Sequence, residues 1–136
     1  MKNIFSQLIL VFSVLFFASS FTLSIRQDKD SELALLMRSM YDDSELIRKA
    51  ITTKKLPKDF RQKFAELHTA KPTDADVKNE TYKAMGNYFL TNLEKVYTEK
   101  DQVKAFNLMV ESCVACHKTF CPGPIKKIKK LTIEQK

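Results

Sequence analysis

Only two glycines and four prolines punctuate this chain of 136 residues, and the apolar residues between them recur at helical rather than strand spacing. That combination leaves few sites for the tight turns an all-β fold requires. It also excludes collagen-like and Gly/Pro-rich disordered classes. A hydrophobic share of 44% is enough for one globular core, and the length suits a single domain. Three cysteines are too few for a disulfide-dense scaffold.

The first segment differs in composition from the rest. After Met1, Lys2 and Asn3, an apolar run extends from Leu8 to Ala18, broken only by Ser13, and Ala18-Ser19-Ser20 follows. This reads as a secretory signal over residues 1–20, which exports the folded part to the periplasm. The other reading is an uncleaved N-terminal anchor from Ile4 to Leu23, the only way in which the chain would touch a membrane. Residues 21–30 form a polar, flexible lead-in.

From Leu33 the apolar positions Leu33, Leu36, Met37, Met40, Ile47 and Ile51 make one stripe, predicting a helix to about Thr52 that Lys54-Lys55-Leu56-Pro57 ends. Asp28, Asp30, Ser31 and Glu32 supply its start signal. A second helix is expected from Asp59, with Phe60, Phe64 and Leu67 as its buried face. A third carries Tyr82, Met85, Phe89, Leu93 and Val96, with Thr73 or Asp74 as a cap before Val77. Gly86 within it permits close approach by a neighbouring group, at a cost in helix propensity. After a link over 98–101, with Asp101 as N-cap, the fourth carries Val103, Phe106, Met109, Val110, Cys113 and His117, and Pro122-Gly123-Pro124 stops it. Four helices with short connections predict an all-α fold, an antiparallel four-helix bundle running up-down-up-down. Most of these aromatic and methionine stripes are core; only a cofactor motif would give some of them another task.

That motif is Cys113-Val114-Ala115-Cys116-His117. C-x-x-C-H is the attachment sequence for haem c: two thiols add to the haem vinyl groups and the adjacent histidine reaches the iron. On a helix, Cys113, Cys116 and His117 at i, i+3 and i+4 share one side. The leader agrees, because haem c is attached outside the cytoplasm. Three other readings stand beside it. A thioredoxin-like C-x-x-C wants a βαβ context, which is not visible. A zinc site needs four ligands, and Cys113, Cys116, His117 and Cys121 could be counted as four, although a short helical run wraps an ion poorly. A disulfide between thiols three residues apart on a helix has poor geometry.

A helix with a Met/Leu stripe, a four-helix pattern and C-x-x-C-H on the last helix resemble cytochrome c′ and its low-spin relatives, the class II c-type cytochromes, over about residues 31–121. The resemblance implies a bundle with one covalent haem c inside one end. Cys113 and Cys116 then form the thioether links, and His117 is the proximal iron ligand. In the family the first helix supplies the residue facing the sixth iron position, with core residues three and ten positions later. Met37, with Met40 and Ile47, reproduces that spacing, so Met37 is the expected distal residue and Met40 the runner-up. A thioether on the iron implies a six-coordinate, low-spin electron carrier. A methionine merely near the iron implies a five-coordinate protein that binds nitric oxide or carbon monoxide. A peroxidase-like enzyme would need distal acid/base groups, and the Met37 face offers none, so no catalysis is expected. The family often forms dimers, so a homodimer is compatible with the resemblance. It also often has a basic residue where Leu33 stands and an Arg where Cys121 stands, which moves pairing with the haem propionates to Lys118 or Lys126.

Two residues and one run remain. Cys121 is left over after haem attachment and is read as a partly buried thiol, with an intermolecular disulfide as the other reading. His68 is read as a surface or satisfied histidine rather than a second ligand. The whole chain carries 23 basic against 16 acidic side chains, and six of the lysines lie in residues 118–136 with one glutamate. Residues 122–136 therefore read as a basic tail following the haem helix, suited to steering a redox partner with an acidic docking surface. Nucleic acid is a poor partner, because no aromatic residues are interleaved with the lysines. Asn79-Glu80-Thr81 fits a glycosylation sequon, which the haem-attachment context makes irrelevant.

Overall fold

The computed structural model describes residues 30–134, and the leader and most of the lead-in lie outside them. Among the described residues every regular element is helical. None of these helices is long and apolar enough to cross a membrane.

Helix α1, Glu32–Thr52, starts where Ser31 accepts a hydrogen bond from the Ala34 N–H at 3.2 Å. Its buried positions Leu33, Leu36, Met40, Ile47 and Ile51 follow the expected stripe, while Met37 is half-buried at its edge. The helix ends in a left-handed residue, Lys54, with φ 54°, whose N–H donates to the Ile51 carbonyl. The second helix is shorter than its apolar spacing suggested. Helix α2 is Arg61–Ala65, tightened by a 3₁₀ turn over Glu66–His68. Phe60, Phe64 and Leu67 are nonetheless all buried. The turn before α2 is held by Tyr97, whose hydroxyl donates to the Lys58 carbonyl and accepts from the Phe60 N–H. Lys71 returns the chain to the start of α1: the Leu33 N–H donates to its carbonyl, and its own N–H donates to the Glu32 carboxylate.

Asp74 caps only a 3₁₀ turn, Ala75–Val77, and the long helix α3 is Glu80–Thr98, with Asn79 accepting from the Tyr82 N–H. The sequon asparagine is thus a helix cap. Helix α4, Gln102–Phe120, begins at Asp101 as the sequence predicts, its carboxylate accepting from the Lys104 N–H. A link of three residues forces α4 back along α3, and these two helices pack most extensively of any pair.

The basic segment after Pro122 is more than a surface tail. It forms a short helix, α5, over Ile125–Ile128 and a 3₁₀ turn over Lys129–Leu131, and it buries Ile128, Leu131 and Ile133. The Asn107 side chain clamps it, donating to the Ile133 carbonyl and accepting from the Ile133 N–H, both at 2.9 Å. Lys127 lies over the ring of Tyr41 at 4.1 Å, tying the same segment to α1. The lysine spacing alone hid an alternation in which the isoleucines point inward.

Candidate haem site

Three helices leave a cleft at one end. Met37 and Met40 reach it from α1, Tyr82, Met85, Gly86 and Phe89 from α3, and Ser112, Cys113, Cys116 and His117 from α4, with Leu67 beside them. The cavity volume is about 50 Å³, and the cleft opens to solvent. All five residues singled out in the sequence therefore line one cavity. Both methionines reach it, Met40 more deeply buried than Met37. Met85, read from its spacing as an ordinary stripe residue, also lines the cavity. Nothing in its sequence neighbourhood marks it apart from the other methionines.

The orientation of His117 follows from how α4 ends. Pro122 disfavours helical geometry in the residue before it. Cys121 accordingly leaves the helix, at φ −156° and ψ 78°. Its carbonyl lies 2.9 Å from His117 Nδ1. A carbonyl can only accept, so Nδ1 carries the proton and Nε2 presents a lone pair in the neutral ring. Metal-binding histidines are commonly held this way, one nitrogen donating to backbone while the other ligates. Phe120 anchors the same turn, its ring edge-on to Tyr82 at 5.7 Å. Tyr82 in turn donates to the Leu67 carbonyl at 2.9 Å, and burial pushes its hydroxyl up to about 12.

The thiols have a matching chemistry. Burial, with Cys116 nearby, pushes the Cys113 thiol up to about 12, and burial raises Cys116 as well. A thioredoxin-like pair needs a thiol lowered toward neutrality, so these two move away from that use. All three cysteines are free among the described residues, which removes the helical disulfide. Nor do three His, Cys, Asp or Glu side chains among the described residues converge on a point that could hold an ion by themselves. Cys121 is exposed rather than partly buried, because the turn at Pro122 carries it off the helix.

A haem fits this donor set. One helix side offers two thiols and a histidine with a free Nε2, the facing wall offers thioethers, and the rest of the lining is almost wholly apolar. Lys118 lines a separate groove on the outer side of α4, with Tyr88, Val114, Ala115 and Lys129, so it does not border the cleft. Lys126 is exposed on α5.

His68 departs from its sequence reading. It is half-buried, and its Nε2 is buried with no hydrogen-bond partner. Compared with known proteins, the chain matches no family model, no curated sequence and no solved structure.

Proposed function

We propose that this protein is an exported c-type cytochrome that carries single electrons between partner proteins and performs no substrate chemistry. One haem c is bound through thioether links to Cys113 and Cys116, with His117 as proximal ligand and Met37 as distal ligand; Met40 is the second candidate. In the same reading α1, α2 with its 3₁₀ extension, α3 and α4 are the four members of an antiparallel bundle. The observation that supports it best is that Met37, Met40, Cys113, Cys116 and His117, from both ends of the folded chain, line one apolar cleft.

The haem, when bound, supplies an iron that takes up and releases one electron. The chain's residues do the rest. The Cys121 carbonyl holds the Nδ1 proton of His117, which leaves Nε2 as the lone-pair nitrogen that would ligate the iron. Leu67, Phe89 and the methionines exclude water, and a methionine sulfur on the iron raises its potential. The outer groove carries Lys118 and Lys129, with Glu111 as the one carboxylate among its lining residues, close to Val114 and Ala115 between the two cysteines. Cations there steer an acidic redox partner toward the haem edge.

The test is chemical and spectroscopic. Denatured protein should keep its haem through acidified organic solvent, and Cys116→Ala should weaken that retention. A sulfur–iron charge-transfer band, with a reduced spectrum unchanged by carbon monoxide, is the expected signature. A high-spin spectrum that shifts with carbon monoxide or nitric oxide would instead assign gas binding. Loss of all haem to the solvent would sink the c-type reading itself.

A further inference from the structure

A helix-interior glycine costs about 1 kcal/mol relative to alanine, yet α3 carries Gly86 on its buried side. The reason is local. A Cβ at position 86 would lie 2.7 Å from His68 Cε1, 2.7 Å from Leu67 Cδ1 and 3.3 Å from His68 Nε2. The Cε1–Nε2 edge of the imidazole thus rests against the backbone of a residue that also lines the haem cleft. Nε2 is buried there without a partner. An unsatisfied buried nitrogen costs about 1–3 kcal/mol. A leucine at 68 would avoid that cost, so packing alone does not account for the imidazole.

The backbone around it is held in place. Lys78 Nζ donates to the His68 carbonyl at 2.8 Å, and the Tyr82 hydroxyl donates to the neighbouring Leu67 carbonyl at 2.9 Å. Leu67 itself lines the cleft. A ring with an uncommitted nitrogen therefore sits on a fixed backbone against Gly86, which lines the cavity, while His68 itself does not line it; to reach the cleft the ring must turn past Gly86.

We propose that His68 is a reserve distal ligand of the haem iron: when no thioether holds the sixth position, His68 Nε2 takes it. The inference rests on the haem reading above. In the exchange the Fe–S bond breaks and an Fe–N bond forms from the imidazole lone pair. The imidazole proton stays on Nδ1, and no electron is transferred. Imidazole nitrogen is a good donor to iron. With it in place the iron stays low-spin and closed to gases after the methionine has left.

The experiment uses the haem-loaded protein with Met37→Leu, Met40→Leu and Met85→Leu combined, which removes the three thioethers lining the cleft. Electron paramagnetic resonance of the ferric form should show a low-spin signal with two nitrogen ligands, and carbon monoxide should bind the ferrous form slowly. Adding His68→Gln should abolish that signal, leave a high-spin iron and speed carbon monoxide binding. Adding Gly86→Ala instead, which pushes on the imidazole edge without removing it, should perturb the low-spin signal. Circular dichroism reports whether each variant is folded. A triple-methionine variant that is already high-spin, or a low-spin signal that survives His68→Gln, overturns the reserve role. Haem retention through acidified solvent separates this outcome from failure of the c-type assignment, which would take both readings with it.

Discussion

The two ends of the helix assembly are built differently. At the end where α1 closes and α4 begins, Ile47, Leu93, Val96 and Phe106 are completely buried, and a stack of Phe60, Phe64 and Phe89 with ring centroids 6.0 Å apart runs from there to the cleft, which Phe89 lines. At the other end the same three helices present Met37, Met40, Met85, Gly86, Cys113 and His117 around empty space. The first end uses aromatic and branched aliphatic side chains. The second uses thioethers, thiols and a glycine. Packing close to crystal density stabilises the fold, so a chain that leaves one end open does so at a cost in stability. The contrast separates a closely packed end from one that keeps an open, mostly apolar cleft.

The largest expected contrast is chemical. Cys113 lies in the cleft with its thiol pushed by burial to about 12, against an ordinary value of 9.0. A rise of about three units leaves about a thousandfold less thiolate at neutral pH. Alkylation of the haem-free chain, followed by mass spectrometry, should label exposed Cys121 first and Cys113 last. Because burial raises Cys113 and Tyr82, the folded state holds protons that the unfolded chain releases. Stability of the haem-free chain should be unaffected by these groups below about pH 9 and should fall as the pH rises toward about 12. A stability that rises over that window would contradict the burial of both groups.

Mutations should divide by end. Phe106→Ala opens the filled end and should cost about 3–5 kcal/mol in denaturant unfolding. Asn107→Ala releases the clamp on Ile133 and leaves backbone groups of the C-terminal segment unpaired, with an expected loss of about 1–3 kcal/mol and earlier hydrogen exchange in residues 125–133. Met37→Leu keeps volume and apolarity at the cleft, so its cost should stay below about 1.5 kcal/mol while the sulfur–iron band disappears and the potential drops. The same swap at Met40 should leave the band intact; a reversed result would move the ligand to Met40. Smallest of all, Lys54→Gly relieves the left-handed residue ending α1 but adds freedom to the unfolded chain, so it should raise stability by less than about 1 kcal/mol, with no change in the absorption spectrum.

Much of this architecture is legible without coordinates. Helical spacing from Leu33 to Ile51 marks the buried side of α1, because a helix that buries one face must repeat apolar residues near every 3.6 positions. Ser31 and Asp101 announce their caps, since a short side-chain oxygen there satisfies an otherwise unpaired N–H. The pentad Cys113–His117 puts two thiols and a histidine on one side of α4 by local spacing alone. The same local logic fails where the deciding partner is remote. Phe60, Phe64 and Leu67 show that a segment is buried, but α2 is only five residues long, held by Tyr97 from another helix. The lysine-rich segment after Pro122 looks solvated until Asn107 and Tyr41 fix it to the core.

What the sequence by itself determined is whatever depends on neighbours within a turn or two of helix: the helical class, the caps, the thiols and histidine on one side of α4, and the methionine stripe of α1. What only the tertiary structure decided is which residues separated along the chain share one space. Met85 lines the cleft because α3 and α4 run back along each other. Gly86 is required because His68, on a different element, presses its ring edge against it. The glycine itself signals a close approach in the sequence, but neither the identity of its neighbour nor the place of Met85 has a local signature, since contact between distant segments depends on how buried faces pack.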